Sequence, residues 1–355
     1  MAGGAEYPTF ATLEDACAFV GILPVNKARA GAWLPTKATN SKSHGAGRIR
    51  FFPSGNGGYC KNHATGAAAL FFYGYRQSMS KHERERMRKQ IKAEIAAANE
   101  AQKLREEMRR CAMPALCDEL LRAARVAVAP YLRLKRVAGV AGAPSRVIEL
   151  DAARCILQAA HPSMYDDGIC QGIGGLVGPL LLIPLTDAQG AVRSMEFIDS
   201  STPSAQKRYL KGAARRGLIW RPEYLPIRSA QINELALAEG VATALSVRRL
   251  YDIPCIAALD CGSLLSALET ICEAYPNANV FVMADSDKPT EAAPEGIGLL
   301  EARTAAREFP ERAYVRTVPA VTQGQLARLR MVSGIPDKMV TDFNDYEIAV
   351  KGGAV

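Results

Sequence analysis

The sequence predicts a mixed α/β protein whose last part is a parallel sheet with flanking helices. After residue 232, four short apolar segments alternate with three helix-like segments, the pattern of a parallel sheet covered on both faces. Before it, two apolar runs flank a turn at Asp187–Gly190, which predicts a β-hairpin in an α+β subdomain. Residues 80–110 contain no Pro or Gly and are strongly charged, which predicts a long exposed helix.

The helix has recognisable limits. Ser80 followed by Glu83 is the pattern of a capping box, and Pro114 is expected to end the helix. A second helix is expected to follow and to stop at Pro130. The sequence therefore divides into four predicted parts: a small N-terminal β-rich element (1–79), a helical linker (80–130), the hairpin subdomain (131–231) and the parallel sheet (232–355).

The charge is unevenly distributed. The chain has a net charge of +8, yet residues 1–136 carry 23 Lys and Arg against 11 Asp and Glu. Such a distribution suits a polyanion-binding part joined to a cation-binding part, although a solvated charged helix would explain it equally well.

The N-terminal element interleaves basic and aromatic residues on short predicted strands. Arg48, Arg50 and Lys61 alternate there with Phe and Tyr residues. This combination can bind single-stranded nucleic acid by phosphate contact and base stacking. The alternative is that the aromatic residues are simply the core of a small domain.

Acidic residues follow the predicted parallel strands. Glu239 ends the first strand of the sheet, and Asp285 and Asp287 end the third. Because ligands of such sheets bind beyond the carboxyl ends of the strands, these carboxylates should meet at one edge and repel unless a cation neutralises them. Asp342 and Asp345 are expected to return to the same edge. Oxygen ligands suit Mg²⁺.

The same residues argue against zinc at this edge. No His lies near the acids, and Cys261 is the only Cys expected there. The N-terminal part offers Cys60 and His63 at ligand-like spacing, but the other candidates form no second close pair: Cys17, His44 and His82.

At this point the sequence resembles a known family. The segments "LALAEG", "VFVMADSDK" and "DFND" are similar to the motifs of Toprim domains carried by plasmids, phages and mobile elements. Upstream, "QKRYLKGA" and "APYLRLKRV" resemble segments that precede Toprim in bacterial replicative primases. One departure is that those primases carry an N-terminal zinc-binding module, for which this chain offers no complete ligand set.

The resemblance implies a DNA primase that makes short RNA primers on single-stranded DNA by metal-dependent nucleotidyl transfer. It implies that Asp285 and Asp287 hold Mg²⁺ or Mn²⁺, with Glu239 as a further ligand or as the general base. Asp342 and Asp345 would be additional ligands. The expected nucleotide or nucleic-acid contacts are Lys207, Arg208, Lys211, Gly262, Ser263 and Lys288, besides the basic residues of the N-terminal element.

The implied partners are single-stranded DNA, ribonucleoside triphosphates and a separate replicative helicase, because the chain has no G-x-x-x-x-G-K-[ST] motif. No run of 18 apolar residues and no signal peptide is visible, and nine scattered cysteines suggest reduced thiols in the cytoplasm. Two alternatives remain open: a Toprim-type nuclease or nicking enzyme, and a non-catalytic single-stranded-DNA-binding replication adaptor.

Overall fold

The structure is a computed structural model that describes residues 7–25, 33–40, 45–73, 80–159, 173–199, 201, 205–291 and 293–352. His44, one of the candidate zinc ligands, lies outside these residues. The chain divides into two compact units, Met1–Met108 and Arg109–Val355. In the part that the structure describes, no helix is both long and apolar enough to cross a membrane.

The first unit is built around a five-stranded sheet. Its elements are β1 (Thr9–Phe10), α1 (Leu13–Val20), β2 (Trp33–Thr36), β3 (Gly47–Phe51), β4 (Gly57–Asn62) and β5 (Ala68–Phe72), with strand order β1-β5-β4-β3-β2. The three strands predicted here, β3 to β5, are confirmed. Because side chains alternate across a strand, Phe51 and Phe71 pack towards α1, whereas Phe52 and Phe72 pack on the opposite face. The alternative that these rings form a core is therefore correct.

The long charged helix is α2 (Lys81–Ala123). The predicted capping box is confirmed: Ser80 N–H donates to Glu83 Oε2 at 2.8 Å, and Glu83 N–H donates to Ser80 Oγ at 3.3 Å. The prediction that Pro114 ends the helix is wrong, since Pro114 lies inside it.

Tertiary packing explains the difference. Met113, Leu116, Cys117 and Leu120 are buried in the core of the second unit. Burying each large side chain stabilises the fold by roughly 1.5–3 kcal/mol, whereas an interior proline costs about 3 kcal/mol. The helix predicted to run on to residue 129 is also wrong, because α2 ends at Ala123 and a short strand follows.

The second unit begins with an antiparallel sheet. After α2 come β6 (Arg125–Val126), α3 (Pro130–Leu134), β7 (Arg146–Ile148), α4 (Leu150–Ala159), β8 (Leu180–Thr186), β9 (Val192–Asp199) and β10 (Gln206–Tyr209), with strand order β10-β9-β8-β7-β6. The β8–β9 hairpin with its turn at Asp187–Gly190 confirms the prediction. The basic "QKRY" segment forms β10, the strand at the end of this order.

The parallel sheet follows as predicted. Its elements are β11 (Glu234–Ala238), α5 (Val241–Tyr251), β12 (Cys255–Ala257), α6 (Leu264–Ala274), β13 (Asn279–Ala284), α7 (Ile297–Arg307) and β14 (Ala313–Thr317), and the chain ends in α8 (Gln323–Ser333) and α9 (Phe343–Lys351). The strand order is β12-β11-β13-β14, and every pair is parallel. The apolar strands are covered by α6 and α7 on one face and by α5 on the other.

The two sheets of this unit share one core. Leu181, Ile183 and Ile198 of the hairpin lie in the same cluster as Ala236 and Val241 of the parallel sheet. The backbone of Trp220 also bridges to Ala257 on β12. One face of the hairpin sheet is therefore held against the parallel sheet.

Candidate active site at the edge of the parallel sheet

The carboxyl edge of the parallel sheet carries a group of acidic side chains. Glu239 directly follows β11 and Asp285 directly follows β13, and these two strands are neighbours. The Ser286 N–H donates to the Thr341 carbonyl oxygen at 2.7 Å, which brings the start of α9 to the same edge. As a result Glu239, Asp285, Asp342 and Asp345 line one cavity of about 720 Å³.

Asp287 has a structural contact as well as a place at this edge. Its Oδ2 accepts a hydrogen bond from the Gly298 N–H at 2.8 Å, in the first turn of α7. A Cβ at Gly298 would lie 3.0 Å from Asp287 Oδ2 and 3.1 Å from the carbonyl oxygen of Asp285. Glycine at 298 therefore lets the helix approach the two aspartates closely.

Asp342 and Asp345 also accept hydrogen bonds from backbone N–H groups near the start of α9. Asp342 caps α9, because its Oδ1 accepts from the Asp345 N–H at 2.7 Å. Oδ2 of the buried Asp345 accepts from Thr341 Oγ1 at 2.8 Å and lies 2.7 Å from Lys338 Nζ. Each of these two carboxylates has one oxygen in such a contact.

The electrostatics of the group follow from burial and repulsion. Burial, followed by the charges of Asp342 and Glu239, raises the pKa of Asp285 to about 9. Burial and the charge of Asp287 likewise raise the pKa of Glu239, although Lys207 opposes the shift. Asp285 Oδ1 is buried and has no hydrogen-bond partner. One carboxylate oxygen of the group is therefore left without a partner to neutralise it.

The donor set fits a hard divalent cation that retains other ligands. Among the residues that the structure describes, no three His, Cys, Asp or Glu side chains form a ready-made metal site. Mg²⁺ usually takes only one or two carboxylates and fills its other positions with water and phosphate. Asp285, with its unpartnered oxygen, and Glu239 fit that requirement. Burial and the charge of Glu239 raise the pKa of the nearby Cys261 thiol, which disfavours the thiolate form that zinc prefers.

The opposite wall of the cavity is basic. Lys207 on β10 lines it, with Nζ 5.7 Å from the centroid of the Tyr131 ring. Although burial of part of the side chain lowers the pKa of Lys207, the neighbouring Tyr131 and the charge of Glu196 outweigh this effect and the pKa is raised. Lys135 and Lys338 line the same cavity and were not predicted from the sequence. For Lys135 a signal existed, because it belongs to the "APYLRLKRV" segment.

The other predicted phosphate contacts differ in exposure, and Arg208, opposite Phe197 on β9, projects from the other face of the sheet from Lys207. Arg208 and Lys288 are exposed, as is Lys211 in the turn after β10. Gly262 is exposed, whereas Ser263 is buried and its N–H already donates to the Asp260 carbonyl oxygen at 3.2 Å. The Ser263 N–H is therefore engaged within the fold.

In the first unit, the predicted basic residues differ in their surroundings. Arg50 is only 6% exposed; its Nη2 donates to the Ala98 carbonyl oxygen of α2 and its guanidinium lies 5.8 Å from the Trp33 ring centroid. Arg48 and Lys61 pair across β3 and β4 and are half-buried. Arg50 therefore has a structural role, because its side chain is enclosed by α2.

Two of the candidate zinc ligands of this unit lie together in its core, whereas His63 lies apart from them on the surface. Cys60 is fully buried, and its Sγ lies 3.7 Å from Cys17 Sγ. His63 is exposed at the end of β4. The "CKNH" segment thus directs its thiol into the core of the unit.

The chain is similar over part of its length to one curated primase and to several solved primase structures. No protein-family model matches the chain. Over 188 residues, which is 48% of this chain, it is 26% identical to the DNA primase TraC of Escherichia coli. The match covers only 17% of the length of that relative.

Similar solved structures include a DnaG primase catalytic domain bound to ssDNA, with a TM-score of 0.41 and 15% identity over 68% of this chain and 82% of that chain. The primase fragment of the bacteriophage T7 primase-helicase protein has a TM-score of 0.33 and 16% identity over 53% and 66% of the two chains. Both structural similarities are partial.

Proposed function

We propose that this chain is a DNA primase of a plasmid or other mobile element, which synthesises short RNA primers on single-stranded DNA by metal-dependent nucleotidyl transfer. The observation that carries the proposal is the cavity in which Glu239 and Asp285 stand opposite Lys207. The acidic side chains need a cation, and they face a lysine that can contact phosphate. This arrangement suits the transfer of a nucleotide from a triphosphate. The similarity to TraC supports this choice of reaction.

In this proposal residues 232–355 form a Toprim-type catalytic domain, and 131–231 supply the opposite wall. Asp285 and Glu239 would hold Mg²⁺ or Mn²⁺, with Asp287, Asp342 and Asp345 beside them. The bound metal would neutralise charge on the triphosphate during transfer. If Glu239 is not a ligand, it would instead take the proton of the primer 3′-hydroxyl as the general base.

The basic residues of the cavity have a complementary task. Lys207, Lys135 and Lys338 would contact phosphate groups of the incoming nucleotide or of the template, which positions them without specifying sequence. Arg208, Lys211 and Lys288 are exposed and would add phosphate contacts along the template DNA.

The N-terminal element (1–79), followed by the helical linker at 80–130, would add affinity for the template. Arg48 and Lys61 remain its candidate phosphate contacts, while the exposed rings of Trp33 and Tyr73 offer stacking surfaces. A separate replicative helicase would open the duplex, and a role in replication implies a location in the cytoplasm.

A primer-synthesis assay tests the proposal. The protein is incubated with single-stranded DNA, labelled ribonucleotides and Mg²⁺ or Mn²⁺, and the products are sized on a gel. We expect short labelled oligomers from the wild-type protein and a loss of at least about a hundredfold in Asp285→Ala, because the unpartnered carboxylate is removed. Asp337→Ala, which changes an exposed acid of the same unit, is the matched control.

The same assay separates the alternatives. A nuclease would shorten end-labelled DNA in the absence of ribonucleotides, and Asp285→Ala would abolish that cleavage. A non-catalytic adaptor would bind single-stranded DNA with equal affinity in both variants and make no oligomers. Either result would refute the proposed function.

A further inference from the structure

Glu196 is a buried acid whose position the hairpin fold alone does not explain. It lies in β9, is 2% exposed, and its Oε2 has no hydrogen-bond partner. A buried carboxylate is costly unless it is paired and hydrogen-bonded. The reason for an acid here has to come from its neighbours.

Those neighbours are set by the strand register. Glu196 lies directly opposite Tyr209 on β10, and Lys207 lies opposite Ile198. Because side chains alternate, Glu196, Lys207 and Tyr209 project from the same face of the sheet, the face turned towards the parallel sheet. Tyr209 is itself anchored, since its hydroxyl donates to the Leu259 carbonyl oxygen at 2.8 Å.

The charges of this group are interdependent. Burial raises the pKa of Glu196 to about 7, while the charge of Lys207 acts in the opposite direction and favours the carboxylate. The charges of Glu196 and Glu239 both raise the pKa of Lys207, and Glu196 is the acid that shares its face of the hairpin sheet. Two acids thus compete for one ammonium group, Glu196 within the hairpin wall and Glu239 among the acids of the sheet edge.

This competition has a consequence for the cavity. If Glu196 were neutral, Glu239 would be left to attract Lys207, and an ion pair between them would occupy both groups. Glu239 would then be less available to a cation, and Lys207 less available to a phosphate.

We propose that Glu196 is a positioning residue that holds the Lys207 ammonium on the hairpin side of the cavity, where it meets the triphosphate, and keeps it from pairing with Glu239. The inference rests on the proposed function, because it assumes that Lys207 contacts a nucleotide triphosphate. Glu196 itself touches no substrate; it acts through Lys207.

A purely structural role makes a different prediction. Gln has nearly the same shape as Glu and carries no charge, so Glu196→Gln removes the penalty of burying a carboxylate. The variant should therefore melt at the same temperature as the wild-type protein or higher. Reduced nucleotide binding without reduced stability would identify a functional role.

The test is a double-mutant cycle on the binding of Mg·ATP, measured by calorimetry. We expect Glu196→Gln to weaken binding about tenfold, the range of a lost charge-assisted contact, and Glu196→Asp to weaken it less. In a Lys207→Met background, Glu196→Gln should have no further effect, because the group through which it acts is gone. In primer synthesis the KM for nucleotides should rise more than kcat falls.

Ser194→Ala is the matched control. Ser194 lies on the same face of β9, is fully buried, and its Oγ also lacks a partner, yet it has no charge to offer Lys207. This variant should bind Mg·ATP as the wild type does.

Three results would overturn the inference: wild-type affinity in Glu196→Gln, additive losses in the double variant, or no binding of Mg·ATP by the wild-type protein. Failure of the proposed function looks different. In that case no primers are made, while the non-additivity between Glu196 and Lys207 in Mg·ATP binding persists.

Discussion

Replacing Asp285 by Asn should stabilise the metal-free protein and make it insensitive to Mg²⁺. In the folded protein, burial and the neighbouring carboxylates raise the pKa of Asp285 from its ordinary value of 3.8 to about 9. Between these two values the folded state retains a proton that the unfolded state has released. The free energy of unfolding contributed by this group therefore falls as the pH rises.

The size of the effect follows from proton linkage. One proton of difference changes the free energy of unfolding by about 1.4 kcal/mol per pH unit. Between about pH 5 and about pH 8, Asp285 should therefore cost the metal-free protein about 4 kcal/mol. Asn has no proton to lose, so Asp285→Asn should have a flatter pH profile by that amount. Mg²⁺ should stabilise the wild-type protein more at the higher pH, since it favours the ionised carboxylate.

Tryptophan fluorescence provides a suitable assay. The chain has two Trp residues, and Trp220 is 3% exposed in the same unit as Asp285, so in a Trp33→Phe background its emission follows that unit. Urea unfolding is measured across the pH range with a chelator and with Mg²⁺, beside Asp337→Asn as an exposed control. Parallel pH profiles for the wild type and Asp285→Asn would refute the assigned electrostatics.

Three further predictions concern particular residues. Gly298→Ala should lower primer synthesis at least about tenfold, because the added Cβ would press on Asp287. The helix itself should lose little stability. The primer assay measures the first effect and circular dichroism the second. Arg50→Met should lower the free energy of unfolding of the first unit by about 1–3 kcal/mol, measured by urea unfolding, and leave the salt dependence of DNA binding unchanged. Substituting both Arg48 and Lys61 by Gln should weaken single-strand binding and reduce its salt slope by about 1.4, because roughly 0.7 is lost for each phosphate contact; an unchanged slope would exclude them as contacts.

The parallel sheet was predictable because its signals are local. Each strand is a short apolar run and each helix has its own periodicity, so alternation along the chain was enough to give strand type and the shared edge of Glu239 and Asp285. The continuation of the helix through Pro114 was not predictable in this way. A local rule ends the helix there, whereas the burial of Met113 and Leu116 in a distant core continues it. Arg50 is a similar case, because nothing in β3 indicates that α2 covers it.

Glu196 shows why part of the site could not be predicted at all. In an antiparallel hairpin one face is commonly exposed to solvent. Because Ser194 and Glu196 alternate with Met195 and Phe197, the sequence alone would place them on that exposed face of the strand. In the structure Met195 and Phe197 pack in one core, and the face of Glu196 is covered by the parallel sheet. Only this long-range packing makes Glu196 a buried acid, which is unusual. The burial of a charged side chain can be recognised only in the folded chain. Residues that position other side chains of the cavity are therefore harder to find from sequence than the acids at its centre.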